Sequence, residues 1–341
     1  MSTKRTVTVV VGGQFGSEAK GKVISFLARE FDIAVRTGSP NAGHTVFDDE
    51  GEIYRLQQIP ATFLNKDCIL CIGAGALINP EILRKEVEKT MTKGRLFIDP
   101  QAGIIEEKHL AQEGELVKKI GSTGKGCGAA LADRIWRKDF KLAKEVLADE
   151  FAIADVAQII NKGIDEGKTV MVEGTQGFGL SLYHGIYPFV TSRDTTAANF
   201  LAEAGISPLT IKDIILVIRT YPIRVAGPSG PLPNETTWQA LSKKIGKDVQ
   251  ETTTVTGKIR RVGGFDIDIV KKAIQMNRPT QIALQFLNYL FPGDEDKTAW
   301  DDLSNDARDY IQNLEIELDV PITLIGTGQS NEAMIDRRGI L

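Results

Sequence analysis

Residues 6–22 read TVTVVVGGQFGSEAKGK, a short apolar run that ends in a glycine cluster followed by two lysines. Few folds accept that order. A strand buried on both faces, a glycine turn and then a helix form the opening unit of a parallel α/β sheet. The backbone N–H groups at the helix start then face outward at the positive end of the helix dipole, where phosphates bind. GSEAKGK at residues 16–22 fits the G-x-x-x-x-G-K spacing, although Val23 stands where Ser or Thr would reach magnesium. Glycines at strand ends also serve plain turns. Lys20 and Lys22 beside them favour phosphate.

The same alternation continues along the chain. Val- and Ile-rich runs at 6–11, 33–37, 68–72, 95–98, 169–173, 213–220, 281–287 and 321–325 read as strands. Helical periodicity fits 20–30, 80–90, 131–147, 152–166, 195–204, 266–276 and 303–314, with Asn79-Pro80 as a cap and first turn. The fold class expected is α/β: a P-loop-NTPase-like, mostly parallel sheet flanked by helices, with long active-site loops. No repeat or linker divides the chain, so residues 1–341 read as one domain. GPSGPLP at 227–233 is a loop expected to border a site.

Composition excludes some functions. At 42% apolar and 25% charged, with a net charge of −4, the chain is that of a globular protein without a broad nucleic-acid surface. No apolar run reaches bilayer length, and the N-terminal segment ends in a glycine loop rather than a signal-peptide cleavage site, so no membrane partner and a cytoplasmic setting are expected. Cys68 and Cys71 have metal-knuckle spacing, but no second pair completes a site, and with Cys127 they read as core residues.

A second loop, TGSPNAGHT at 37–45, follows another buried strand. A lone loop histidine is more often a surface residue than a catalyst. Strands 6–11 and 33–37, however, would end at the same edge of a parallel sheet, and so bring His44 near the phosphate loop. An imidazolium there stabilises charge on a transferring phosphoryl group.

Taken together, GGQFGSEAKGK, NAGHT, IGSTGKGCG at 120–128, EGTQG at 173–177, HGIYPFVTSRDTT at 184–196, TGKIRRVG at 256–263 and the late Gly326-Thr327-Gly328 resemble the adenylosuccinate synthetase family, in family order over nearly the whole chain. The resemblance implies a carbon–nitrogen ligase. It phosphorylates the 6-oxo group of a purine monophosphate, and the amine of L-aspartate then displaces the phosphate. Ser17, Lys20, His44 and Gln176 match the catalytic positions. The purine monophosphate would be held by Ser17, Asn41, Ser122, Thr123, Gln176, Thr191 and Arg224, and by Arg137 from a neighbouring subunit, which implies a homodimer. Thr256, Gly257, Lys258 and Arg260 would grip aspartate. The triphosphate would lie against Gly16, Glu18, Ala19, Lys20, Gly21, Lys22, Gly43, His44, Thr45, Gln285, Asn288, Gly326 and Gly328, and Mg2+ would be held by Ser17 and Gly43. Taken singly, Gln176 and Thr191 are ordinary loop polars, and Arg137, followed by Lys138-Asp139, is a solvated helix face.

Three departures from the family pattern shape the expectation. The family normally has Asp at position 17 as the base at purine N1. Ser17 cannot be a base unaided, and loss of a positioned base costs about 10²–10⁴ in rate. Glu18, a water held by Ser17 or a group on the substrate stands open as the replacement. GTP-using members carry Thr-Lys-Leu-Asp across 285–288, whereas this chain has Gln-Phe-Leu-Asn. Guanine there would leave polar edges unpaired, at roughly 1–3 kcal/mol per buried group, so ATP or dATP is the expected donor. Lys258 replaces an arginine and cannot fork to a carboxylate. Ser17 leaves room for a 2-amino group, and with the adenine-type donor site it resembles the bacteriophage 2-aminoadenylosuccinate synthetase branch. The expected reaction is then ATP-driven joining of dGMP and aspartate for 2-aminoadenine DNA, in the host cytoplasm if the chain is phage-encoded. The alternatives are an ordinary adenylosuccinate synthetase acting on IMP and a non-catalytic nucleotide-binding relative. A regulatory GTPase is disfavoured because Asn288 does not read guanine.

Overall fold

The computed structural model describes residues 4–252 and 257–340. Ten strands form the central sheet, in the order Met334–Asp336, Ile322–Gly326, Gln281–Gln285, Ile211–Arg219, Val7–Gly12, Val170–Glu173, Ile33–Arg36, Ile69–Ile72, Leu96–Ile98 and Ala152–Ile153. Every neighbouring pair is parallel except the last strand, which folds back antiparallel on Ile322–Gly326. Alternation along each strand splits the core in two. Val7, Val9, Val11, Val35, Val172 and Leu216 pack on one face, and Val10, Ala34, Met171, Ile215 and Val217 pack on the other. All eight expected strands are present. This is the mostly parallel sheet with flanking helices anticipated above.

Helix starts follow local chemistry. Asn79 accepts the N–H groups of Glu81 and Ile82 ahead of helix Pro80–Thr90, and Asp155 accepts that of Gln158 ahead of Val156–Glu166. Three helical expectations are corrected. The stretch 131–147 is not one helix: Cys127–Trp136 ends at Arg137, whose φ is 53°, and a separate short helix spans Ala143–Val146. Between them Leu142 bridges Gly103 and the Lys141 carbonyl accepts the N–H of Ile104, so pairing to a neighbouring strand overrides helical periodicity. Residues 152–153, expected to open a helix, instead form the edge strand. Helix Lys20–Phe26 stops short of residue 30 and tightens into the 3-10 turn Ala28–Glu30. Cys68, Cys71 and Cys127 are buried and unbridged. Burial raises all three thiols, Cys68 and Cys127 to about 12. Among the described residues no helix is long and apolar enough to cross a membrane.

Candidate active site

Loops following strands Val7–Gly12, Ile33–Arg36, Val170–Glu173 and Ile211–Arg219 meet at one edge of the sheet and line a cavity of about 1390 Å³. This is the carboxyl edge of a parallel sheet, where ligands of such folds bind. Gly16, Ser17, Ala19, Lys20, Gly21, Lys22, Gly43, His44 and Thr45 all border it.

The glycine loop owes its shape to Glu18, whose carboxylate is fully buried. It accepts the N–H groups of Gln14 at 3.1 Å and Gly16 at 2.8 Å and pairs with Lys20 Nζ at 2.7 Å. A side chain on Gly12 would bring Cβ to 2.6 Å from Glu18 Oε2, so glycine is needed there for close approach. Glu18 therefore does not face the cavity. Its carboxylate, tied up within the loop, is not placed to act as the N1 base that was left open for it. Lys20 Nζ also donates to the carbonyl of Gln176. Lys22 Nζ reaches the carbonyls of Gly328 and Ala333 at 2.7 Å each. Burial lowers its pKa to about 8, against an opposing pull from Asp296.

His44 opens the hairpin His44–Phe47 and Ile53–Leu56, and Gly21 makes room for it: a Cβ there would lie 2.8 Å from that of His44. His44 Nδ1 lies 2.6 Å from Glu173 Oε1, and Nε2 is buried without a partner among the described residues. Glu173 also pairs with Arg36 and accepts the N–H of Ala61 at 2.6 Å. Burial alone would raise its carboxyl, but Arg36, His44 and the Ala61 N–H hold it below the usual range. Burial, then Arg36, pushes His44 down to about 4 despite Glu173. A pKa of about 4 favours the neutral imidazole, and its Nδ1 lies against Glu173 and, at 3.2 Å, Arg36 Nη1.

At another part of the cavity wall, Gln176 Nε2 donates to Asn41 Oδ1 at 3.0 Å, and Asn41 Nδ2 donates to Thr191 Oγ1 at 3.4 Å. Thr175 Oγ1 fixes the other end of the Gln176 amide at 2.6 Å. Ser122, Thr123 and Arg224 border the same cavity. Arg224 donates to the carbonyl of Phe189 at 2.8 Å, lies 4.6 Å over the Phe15 ring, and is pushed down to about 10 by burial and then Arg261. Arg137 is exposed and does not border the cavity of its own chain.

Gly257, Lys258 and Arg260 reach the cavity from a third side, while Thr256 lies outside the described residues. Arg260 Nη1 donates to Ser17 Oγ. This engages one lone pair of Ser17 Oγ and leaves its second lone pair and its O–H. Among the described residues no cluster of three or more His, Cys, Asp or Glu could hold a metal, and the expected Mg2+ ligands Ser17 and Gly43 both border the cavity, where they could add oxygen ligands to those of a bound phosphate. On the donor side, Gln285, Phe286, Asn288 and Gly328 border the cavity. Gly326 does not; it packs beneath the Gln285 amide.

Three buried charged residues and one half-buried partner escaped the sequence reading of the site: Arg36, Glu173 and Arg219, with Glu251. Arg36 and Arg219 end the strands Ile33–Arg36 and Ile211–Arg219, and both are essentially unexposed. A charge at the last position of an otherwise apolar strand was the available signal.

The adenylosuccinate synthetase family model matches residues 9–152 and 144–297. The adenylosuccinate synthetase of Methanosphaera stadtmanae is 44% identical over 342 aligned positions, and that of Methanocaldococcus jannaschii is 42% identical over 345, each covering 98% of both chains. Among solved structures, adenylosuccinate synthetase from Plasmodium falciparum superposes with a TM-score of 0.87 at 24% identity, covering 98% of this chain and 100% of that one. The succinoaminodeoxyadenylate synthetase of cyanophage S-2L, bound to dGMP and dATP, gives 0.84 at 26%, covering 98% and 96%. The expected assignment to a dGMP-using ligase is overturned by these relations. The archaeal relatives, far closer in sequence than the cyanophage protein, carry the ordinary name. The chain belongs to the adenylosuccinate synthetase family of carbon–nitrogen ligases.

Proposed function

We propose that this protein joins L-aspartate to IMP at the expense of a nucleoside triphosphate, forming adenylosuccinate, a nucleoside diphosphate and phosphate. One observation carries the reading: His44 borders the cavity shared by the phosphate loop and the Asn41–Gln176–Thr191 line, with Nδ1 against Glu173 and a buried Nε2 that has no partner among the described residues. Family membership supports it.

In this reading Nε2 takes the N1 proton as the purine 6-oxygen attacks the γ-phosphorus and the β–γ bond breaks, and so supplies the base that Ser17 lacks. Glu173 holds the ring and stabilises the imidazolium that forms, as a carboxylate does in other histidine dyads. Lys20, Lys22 and the helix start Lys20–Phe26 surround the transferring group with positive charge. The aspartate amine then attacks C6, and phosphate leaves with the former 6-oxygen. Arg260 leaves Ser17 for an aspartate carboxylate, since a charged acceptor outcompetes a hydroxyl.

The donor in this reading is ATP or dATP. The Asn288 amide nitrogen lies 3.3 Å from Glu295 Oε1, which fixes the side chain with its oxygen open to an adenine amino group. Phe286 offers a face for stacking and no charge for guanine O6. The active form is a homodimer. Arg137, beside Ile135 and Trp136, which are 65% and 73% exposed, serves the site of a second copy.

The test is product analysis with IMP, GMP or dGMP, each with aspartate and ATP. Adenylosuccinate from IMP is expected. Turnover of dGMP with none of IMP would overturn the reading.

A further inference from the structure

We infer that Arg219 is a positioning residue that couples the donor-base side of the cavity to the phosphate loop, so that stacking of a purine at Phe286 sets the geometry of that loop. This rests on the reaction proposed above. Arg219 is fully buried at the end of its strand. Its main chain is clamped in both directions by the Gln14 amide, with Arg219 N–H to Gln14 Oε1 at 2.9 Å and Gln14 Nε2 to the Arg219 carbonyl at 3.1 Å. The backbone is therefore fixed and only the guanidinium is left to respond. Nη1 donates to the carbonyl of Ser17 at 2.8 Å, the Cζ lies 3.8 Å from the centre of the Phe286 ring, and Nη2 pairs with Glu251.

Both residues gripped by this one side chain have left-handed backbones, Ser17 with φ 58° and Phe286 with φ 62°. Such a conformation is strained for a non-glycine residue and persists where surrounding contacts over-determine it. For Phe286 those contacts are the Arg219 cation over its ring and Thr220 Oγ1, which donates to its carbonyl at 2.7 Å. For Ser17 they are Arg219 and Arg260. Glu251 is held in turn by the Tyr289 hydroxyl at 3.3 Å, on the same turn as Phe286. Any movement of the Phe286 ring onto a base displaces the cation beneath it. The other end of that cation holds the carbonyl at the centre of the phosphate loop. Base recognition and phosphate positioning thus share one rigid connector.

The experiment is a double-mutant cycle on the KM for ATP, using Arg219→Met, Phe286→Ala and the double variant, with the KM for IMP measured alongside. Each single change is expected to raise the KM for ATP about tenfold, and the double change to raise it no further than the worse single change, because both remove the same link. The KM for IMP should move less than about twofold. Effects that multiply to about a hundredfold would show two independent contacts and overturn the coupling. Equal losses for ATP and IMP, the mark of a purely structural residue, would overturn it as well. If Arg219→Met does not fold, the cycle is run with Arg219→Lys, for which the same non-additivity is expected. The wild type is assayed first. No adenylosuccinate from IMP would sink the assigned reaction, whereas turnover with a multiplicative cycle sinks the coupling alone.

Discussion

Glu173 Oε1 lies 2.6 Å from His44 Nδ1, with both side chains essentially removed from water. The contact joins the end of one sheet strand, Val170–Glu173, to the start of the hairpin strand His44–Phe47. It fixes the tautomer of the ring and leaves Nε2 as the basic atom. Replacing Glu173 by Gln keeps the volume but lets the amide nitrogen face Nδ1 and favours the wrong tautomer. Glu173→Gln should lower kcat by about 10²–10⁴ with the KM for IMP changed far less. Phosphate release under saturating substrates measures this, and a kcat within threefold of wild type would remove Glu173 from the mechanism.

Lys22 predicts a proton taken up on donor binding. Its folded pKa of about 8 lies below the ordinary 10.5 because of burial, so above pH 8 the free protein holds the amine largely neutral. Between pH 8 and 10.5 the folded state binds fewer protons than the unfolded one. Stability therefore rises with pH through this window and gains nothing from it below pH 8. A triphosphate restores the charge. Calorimetry at pH 8.5 in buffers of different ionisation enthalpy should show uptake of roughly three quarters of a proton, falling toward zero at pH 6.5. Uptake that does not change with pH would separate Lys22 from the phosphates.

Ser17 and Arg260 predict the cost of restoring the family carboxylate. Residue 17 has φ 58°, a conformation Asp accepts, so Ser17→Asp should fold. The new carboxylate would hold Arg260 against the incoming aspartate and raise the KM for aspartate by about tenfold, while Ser17→Ala should lower or preserve it. Steady-state kinetics with varied aspartate distinguish these results. An unchanged KM in Ser17→Asp would show that Arg260 does not bind aspartate.

Arg137 predicts complementation. Arg137→Ala and His44→Asn variants should each be nearly inactive, and an equal mixture, unfolded and refolded together, should regain roughly a quarter of wild-type activity through hybrid dimers with one intact site. No recovery, with dimers demonstrated by light scattering, would place Arg137 outside the shared site.

Much of this was legible in the sequence because the central sheet is buried on both faces. Continuous Val and Ile runs such as 7–11 and 214–218 have no other stable placement, and the glycine loop between residues 12 and 22 fixes the edge at which ligands gather. What failed was decided by contacts distant in sequence. Residues 137–142 leave the helical path to meet Gly103 and Ile104, which no local pattern encodes. Glu18 reads as a loop carboxylate open to a nucleotide, yet it turns inward because Gly12 leaves space for it. Ser17 reads as a small residue beside open space, yet Arg260, 243 positions away, donates to its hydroxyl. Arg36 and Glu173 read as strand ends, and only the sheet order, which sets Ile33–Arg36 beside Val170–Glu173, brings them together beneath His44.

The most direct measurement follows the purine 6-oxygen. IMP labelled with ¹⁸O at C6 is incubated with aspartate, ATP and the protein, and the phosphate released is analysed by mass spectrometry. Transfer of the label to phosphate, in step with the adenylosuccinate formed, is the result expected if the 6-oxygen attacks the γ-phosphorus and the aspartate amine then displaces it. Release of unlabelled phosphate, or label retained in the purine, would contradict the account.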